Sequence, residues 1–414
     1  LSNHPSNHPS FSQLGVAEPL CRALAARNYH RPTPIQARAI PLLLDGRDIV
    51  GVAQTGTGKT AAFALPILQL LGTPDRRNGP RALVLAPTRE LAIQIADGFK
   101  AYGANTKLRL AVIFGGVSQR GQVDRLRRGV DIIVATPGRL LDLMNQGHAA
   151  LGGIQHLVLD EADRMLDMGF IRDVRKIIAA LPHDRQALLF SATMPAAVER
   201  LTADILHRPT RIDIVPKAVA VESIRQSVHF VDAKAKLGLL RDLMADQRLS
   251  RVIVFTRTKH RANRVADNLV KAGIAAEAIH GNKSQGARQR ALESFRQGRA
   301  RVLVATDIAA RGIDVVGVTH VINFELPNEP ESYVHRIGRT ARAGASGVAL
   351  SFCDASEYAF LRDIEALIRM PITVDGGERP SGVVSAKPAQ RGRGRAGRQR
   401  NRPRRGGRPA RRAA

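Results

Sequence analysis

The sequence predicts an α/β protein with two parallel-sheet domains in tandem and a disordered basic tail. Short apolar, β-branched runs alternate with helix-forming stretches, the pattern of strands buried on both faces and joined by helical crossovers. The pattern also repeats: Val84 and Val134, in ALVLAPTR and DIIVATPG, stand 50 residues apart, and Val254 and Val304, in VIVFTRT and RVLVATD, stand the same 50 apart. The halves therefore align at an offset of 170, which points to duplication. Residues 385–414 hold Lys387, eleven arginines and no acid, with no Leu, Ile, Val, Phe or Tyr, so they cannot bury enough surface to offset chain entropy.

Composition narrows the function. A hydrophobic content of 44% supplies two cores over 414 residues. No run of about 18 apolar residues could span a bilayer; the most apolar stretch, AAFALPILQLL, is broken by Pro66 and Gln69. Cys21 and Cys353, far apart and without a C-x-x-C pair, support neither a disulfide framework nor a cysteine zinc site. With no charged, apolar leader at the front, a cytoplasmic protein is expected. The net charge of +27, from 63 basic and 36 acidic residues, implies an anionic partner. Aromatics at 4% and no Trp favour contacts to a phosphate backbone over base stacking.

Along the chain, the polar repeat SNHPSNHPS predicts a disordered segment over 1–10. The first domain, 11–213, carries the strand-like runs DIVGVA, RALVLAP, LRLAVIF, DIIVATP, HLVLDE and QALLFSA. A linker over 214–224 follows, marked by Pro216 and small residues. The second domain, 225–370, carries QSVHFV, RVIVFT, AEAIH, RVLVATD, HVINF and GVALSF, and the tail takes 371–414.

The chemistry begins at AQTGTGKT, between a strand and a helix-forming stretch. There Gly56 and Gly58 let backbone N–H groups approach phosphate oxygens, Lys59 neutralises the outer phosphates, and the Thr60 hydroxyl can ligate Mg2+. The strict pattern asks for Gly where Ala53 stands. LVLDEAD ends a buried strand on Asp160 and Glu161; alone it reads as a solvated loop, but beside a phosphate loop Asp160 can hold the metal, through water or directly, and Glu161 can orient and deprotonate a water. HRIGRTARAG spaces Arg336, Arg339 and Arg342 by three, so a helical turn would set them on one face. The bland alternative is a solvated basic turn; in a duplicated nucleotidase the stretch can deliver arginines to the γ-phosphate when the domains close. SAT, Ser191 to Thr193, reads alone as a helix cap.

Together these motifs resemble the DEAD-box RNA helicase family, superfamily 2, over residues 11–353. Phe11 and NYHRPTPIQ are similar to the family's upstream aromatic and Q motif, which implies adenine contacts by Phe11, Arg31 and Gln36. AQTGTGKT resembles motif I, Ala53 included, and implies nucleotide binding by Thr55, Gly56, Thr57, Gly58, Lys59 and Thr60; TDIAARGID implies the same for Gly312 and Asp314. DEAD and SAT resemble motifs II and III and imply coupling through Asp163, Ser191 and Thr193, joined by His335 of HRIGRTAR. The resemblance makes Lys59, Glu161, Arg339 and Arg342 the catalytic set, with Thr60 and Asp160 on Mg2+. It implies RNA contacts in the first domain by Pro87, Thr88, Arg89, Gly115, Gly116, Thr136, Pro137, Gly138 and Arg139. In the second it implies them for Arg257, Gly281, Gln285, Arg288, Thr306 and Asp307. Ala341 stands where motif VI usually has Gly, and LVLDEADRMLDMGF with HRIGRTARAG looks most like the bacterial RhlE-type subgroup.

The resemblance implies two RecA-like domains that close around ATP and RNA and separate short duplexes, with ribosomal or RNA-decay complexes as expected partners. The backbone carries no sequence information, so no RNA sequence is read. The residues alone give a basic, two-domain nucleotidase. A DNA-directed translocase of the same superfamily, or an annealing scaffold dominated by the arginine tail, stand as alternatives.

Overall fold

The structure, a computed structural model, describes residues 9–53, 56–73, 79–214, 224–307, 315, 317–341 and 347–379. Seven parallel strands form the first sheet: β1 Ile49–Val52, β2 Ala82–Leu85, β3 Leu110–Ile113, β4 Ile132–Ala135, β5 His156–Leu159, β6 Gln186–Ser191 and β7 Thr210–Asp213. Seven more form the second: β8 Ile224–Phe230, β9 Val252–Thr256, β10 Ala276–Ile279, β11 Val302–Thr306, β12 His320–Asn323, β13 Gly347–Cys353 and β14 Thr373–Gly376. The first runs β3-β4-β2-β5-β6-β1-β7 and the second β10-β11-β9-β12-β13-β8-β14, the same permutation twice. The 50-residue spacing read from the sequence is thus a register: Val84 pairs with Val134, and Val254 with Val304.

Both faces of each sheet are buried, which is why the strands read as continuous apolar runs. Ala82 and Val84 face a core shared with the helices Pro34–Leu44 and Lys59–Leu71, while Leu83 and Leu85 face a separate one under the helices Pro137–Asn145 and Ile171–Ala179. In the second sheet Val252 and Val254 part from Ile253 and Phe255 in the same way.

All twelve expected strands are present, and two more appear. β7, TRID, and β14, TVDG, are the outer strands beside β1 and β8, too short and polar for an apolar run. β14 corrects the tail boundary, since 373–376 pairs with β8 inside the stretch expected to be structureless. Residues 215–223 of the expected linker, and 1–8 and 380–414 of the expected disordered segments, lie outside the described residues. Among the described residues, no helix is long and apolar enough to cross a membrane.

Candidate functional site: a cleft between two sheets

Strand order explains where the motifs meet. In a parallel sheet the loops leaving the carboxyl ends of the strands carry the site. The phosphate loop follows β1, SAT ends β6 and DEAD follows β5, three contiguous strands. PTRE follows β2, TPGR follows β4 and the Gly115–Gly116 pair follows β3, the next three strands on the side away from β7. Nucleotide-type and RNA-type motifs therefore occupy adjoining halves of one sheet end.

In the phosphate loop, Gly56 and Gly58 have φ of 89° and 95°, which an L side chain rarely adopts. A Cβ on Gly58 would also stand 2.5 Å from Gln36 Nε2. That Nε2 donates to the Gly58 carbonyl (3.0 Å), and Gln36 Oε1 accepts from the Thr33 N–H (2.9 Å), so the Q-motif amide is tied to the loop. Lys59 Nζ is buried and donates to the Ala53 carbonyl (2.8 Å). Lys59 and Thr60 open the helix Lys59–Leu71, whose N-terminal N–H groups favour an anion.

Asp160 and Glu161 are both buried at the end of β5. Burial pushes the Asp160 carboxyl up to about 6; Lys59 pulls it back in part, and Glu161 adds to the rise. For Glu161 burial acts upward too, but the positive charges of Arg164, Lys59 and Arg339 outweigh it and hold the carboxyl at about 2. Glu161 has a left-handed backbone, φ 55°, a strain of the sort that collects at functional sites. Asp163 binds motif III: its Oδ2 accepts from Thr193 N and Oγ1 (both 2.9 Å) and from Ala192 N (3.2 Å). Ser191 Oγ accepts from Asp163 N (3.1 Å) and donates to the Thr193 carbonyl (2.7 Å), so SAT is a bonded knot rather than a helix cap.

The second domain reaches this site. Arg339 and His335 line a cavity of about 30 Å³ with Glu161, Asp163, Arg164, Asp167 and Ala192. The expectation that the three arginines share one helical face is corrected. The helix Pro330–Ile337 stops at Gly338, so Arg336 turns into its own domain while Arg339 faces the cavity. Ala341 has φ 53°, the conformation for which Gly is the cheaper residue.

A second cleft, of about 300 Å³, gathers most of the expected RNA residues: Pro87, Thr88, Arg89, Gly115, Thr136, Gly138 and Arg139 from one domain, Gly281 and Arg288 from the other. Gly116, φ 75°, lies against the Arg89 guanidinium, and any Cβ there would collide with it. Pro137 opens the helix behind Thr136. Burial lowers the Arg89 pKa, with Glu90 opposing and Arg288 and Arg139 adding to the fall, the mark of clustered cations. Gln285 reaches Arg89, its Oε1 accepting from Nη1 at 3.4 Å.

Other expected residues take different places. Phe11 is a core side chain at 6% exposure. Arg31 is exposed. Arg257 is engaged by Glu357 (3.2 Å) and Asn328 (3.3 Å) and sits over the Phe360 ring, away from the cleft lining. Thr306 is buried, and Asp307 is the ion-pair partner of Arg336. Thr55, Gly312, Asp314 and Arg342 lie outside the described residues. Sequence reasoning gave no separate role to Glu90, inside PTREL, or to Lys283, inside HGNKSQGAR, and missed Met168 and Phe170, all of which line the second cleft; it also passed over Tyr29, an exposed ring seven residues before Gln36. Tyr29 stood in plain view within NYHRPTPIQ; the others carry no signal apart from their neighbours.

Comparisons with known proteins agree with this geometry. Residues 33–201 match the DEAD/DEAH box helicase family and residues 235–344 the helicase conserved C-terminal domain. The chain is 44% identical over 356 residues to the DEAD-box ATP-dependent RNA helicase CshA of Geobacillus kaustophilus, covering 86% of this chain and 76% of that protein. It is 44% identical to the CshA of Bacillus subtilis as well, covering 86% and 72%. It overlays on S. cerevisiae Dbp5 bound to RNA and ADP BeF3 with a TM-score of 0.80 at 34% identity, covering 89% of this chain and 95% of that one. Mss116p bound to ssRNA and AMP-PNP gives 0.82 at 29%, covering 92% and 82%. A DEAD box protein from Methanococcus jannaschii is 40% identical, covering 88% and 98%, yet overlays at only 0.52. Identity does not order these scores. Two sheets of one permutation, the motifs at their carboxyl ends and relatives at this identity and coverage lead to one assignment: the chain belongs to the DEAD-box helicase family.

Proposed function

We propose that this protein couples ATP binding and hydrolysis to local unwinding or remodelling of short RNA duplexes and RNA–protein complexes, without reading sequence. The observation that carries the reading is that Arg339 of the second domain and Glu161 of the first line one cavity, while RNA-type residues of both domains line the cleft beside it. One closure of the domains serves both sites.

ATP phosphates fit against the N–H groups of the loop at Gly56 to Gly58, with Lys59 exchanging its Ala53 carbonyl for phosphate oxygens. Mg2+ fits the donor set: Asp160 is a desolvated carboxylate that feels the Lys59 ammonium, Thr60 is the next residue after that lysine, and this ion takes one or two protein oxygens plus water and phosphate rather than a full protein cage. When bound it would supply charge neutralisation at the phosphates. A carboxylate held at about 2 is a weak proton acceptor, so Glu161 acts mainly by orienting the water. Arg339 stabilises charge at the γ-phosphate, joined by Arg342. Gln36 reads adenine, and Tyr29, whose ring is exposed, replaces Phe11 as the aromatic for the base. Asp163 with Ser191 and Thr193 relays the state of the nucleotide to the RNA cleft.

RNA is held through its backbone, with Arg89, Arg139, Arg288 and Lys283 supplying charge. Ribosomal or RNA-decay assemblies in the cytoplasm are the setting that the resemblance implies. The phrases LVLDEADRMLDMGF and HRIGRTARAG resemble the RhlE-type subgroup, whereas the relatives at 44% identity carry the CshA name, so the subgroup rests on those phrases alone. Unwinding of a short RNA duplex with ATP, without ATP, and of the matching DNA duplex tests the reading. Separation of RNA with ATP alone is expected. Equal action on DNA would indicate a translocase, and strand exchange without nucleotide an annealing scaffold.

A further inference from the structure

Glu161 caps a helix of only six residues, Ala162–Asp167, and Arg164 stands on its first turn. Arg164 Nη1 donates to Glu161 Oε2 at 2.6 Å, and both residues are buried, at 7% and 6% exposure. A surface pair at this i,i+3 spacing contributes a few tenths of a kcal/mol. A buried one is different, because each charge left alone would face the whole cost of desolvation. The pair also forms part of the wall of the cavity that Arg339 and His335 line from the second domain. The Arg164 backbone N–H donates to Asp163 Oδ1 (3.0 Å), and Asp163 is the residue that binds SAT, so Arg164 is fixed at both ends.

We propose that Arg164 is a positioning residue for hydrolysis: by holding Oε2 of Glu161, it sets where the other carboxylate oxygen meets the attacking water. A glutamate side chain has three rotatable bonds and borders a cavity of about 30 Å³, so without such an anchor its carboxylate could turn away from a water held there. A water must be held within hydrogen-bond reach of the carboxylate and in line with the phosphorus, so a small swing is costly. The planar guanidinium fixes direction as well as charge, which an ammonium does not. The proposal rests on the reading of Glu161 as the residue that orients water.

Arg164→Lys in the full chain, with ATP turnover measured at saturating RNA, tests it. The lysine keeps a positive charge in the buried pair, so the protein should fold, and turnover number should fall about 10- to 100-fold with KM for ATP unchanged. Arg164→Leu should lose more than Arg164→Lys. In a Glu161→Gln background, Arg164→Lys should cause no further loss, because the carboxylate it positions is gone. Turnover within about twofold of wild type in Arg164→Lys overturns the proposal, as does a rise in turnover, a raised KM in place of a lowered turnover number, or an additive loss in the double variant. Failure of the underlying reading is seen separately: Glu161→Gln alone would then keep its turnover.

Discussion

Arg336 grips Asp307 through two parallel hydrogen bonds, Nε to Oδ1 at 2.6 Å and Nη2 to Oδ2 at 2.8 Å. Its Nη1 donates to Asn323 Oδ1 (3.1 Å) and to the Glu325 carbonyl (2.6 Å), and the guanidinium lies over Phe255, 5.1 Å from the ring centroid. Three residues on, Arg339 lines the cavity with Glu161. Within one motif, one arginine assembles the second domain and the next faces the cavity at Glu161.

These two arginines should fail differently. Arg336→Ala empties a fully buried site and strips the buried Asn323 Oδ1 of its donor, and should destabilise the second domain by about 3–5 kcal/mol, lowering its melting temperature. Arg339→Ala should leave melting almost unchanged and cut RNA-stimulated turnover by about 10³ or more. Turnover of Arg339→Ala within about threefold of wild type, at saturating ATP and RNA, would remove it from the chemistry.

Adenine recognition makes a second contrast. A glutamine amide offers a donor and an acceptor that suit the adenine edge and not guanine, so ATP should be hydrolysed well above GTP. Tyr29→Ala should raise KM for ATP with little change in stability, because the ring is exposed. Phe11→Ala should instead cost about 3–5 kcal/mol of stability, the usual penalty for emptying a buried aromatic site. Nucleotide titration and thermal melting of both variants decide it; a large KM effect for Phe11→Ala in a stably folded protein would restore Phe11 as the base contact.

The contrast between Phe11 and Tyr29 also shows what a sequence can and cannot disclose. Burial on both sheet faces leaves apolar runs, so twelve strands and the duplication were legible in the letters. Strand neighbours leave no such trace, and the grouping of β1, β6 and β5 apart from β2, β4 and β3 came only from the structure. Two aromatic letters before Gln36 look alike until one proves buried. Arginines spaced by three look like one face until the helix ends at Ile337. Glu90 meets Arg288 across 198 residues of chain, a distance over which no local pattern operates.

Asp160 yields a pH prediction. Its carboxyl is raised by burial from 3.8 to about 6, so the folded protein holds the proton more tightly than the unfolded chain. The resulting stabilisation is full below about pH 4 and lost as pH rises through about 6; above that, the folded state carries a buried charge at a cost of about 3 kcal/mol. Asp160→Asn keeps an acceptor for the Glu161 N–H and removes the charge. In EDTA the variant should therefore be more stable than wild type at pH 8, by up to about 3 kcal/mol, with the difference gone near pH 4. Mg2+ with ATP should stabilise wild type and not the variant. Urea unfolding at the two pH values checks it; a variant less stable than wild type at pH 8 would contradict the assigned cause.

Glu90 offers the sharpest test of closure. Its Oε1 accepts from Arg288 Nε at 2.8 Å and from Gln285 Nε2 at 3.5 Å, and the ion pair is buried from solvent on both sides. Because Glu90 belongs to the first domain and both its partners to the second, this contact exists only when the domains are together. Glu90→Gln should then leave the melting of each domain and nucleotide binding to the open enzyme unchanged, yet weaken the closed state. Breaking a buried pair costs about 3–5 kcal/mol, enough to shift the closed population by at least about 10²-fold and to lower RNA-stimulated turnover with it. Energy transfer between fluorophores placed on the two domains reads closure directly. A competing effect runs the other way: Arg288 released from Glu90 could bind a phosphate, so RNA affinity would rise while closure held. The swapped variant, Glu90→Arg with Arg288→Glu, separates the two. If the contact closes the domains, the swap restores energy transfer that Glu90→Gln lost; if Arg288 serves mainly RNA, the swap leaves affinity low because a carboxylate now faces the phosphates.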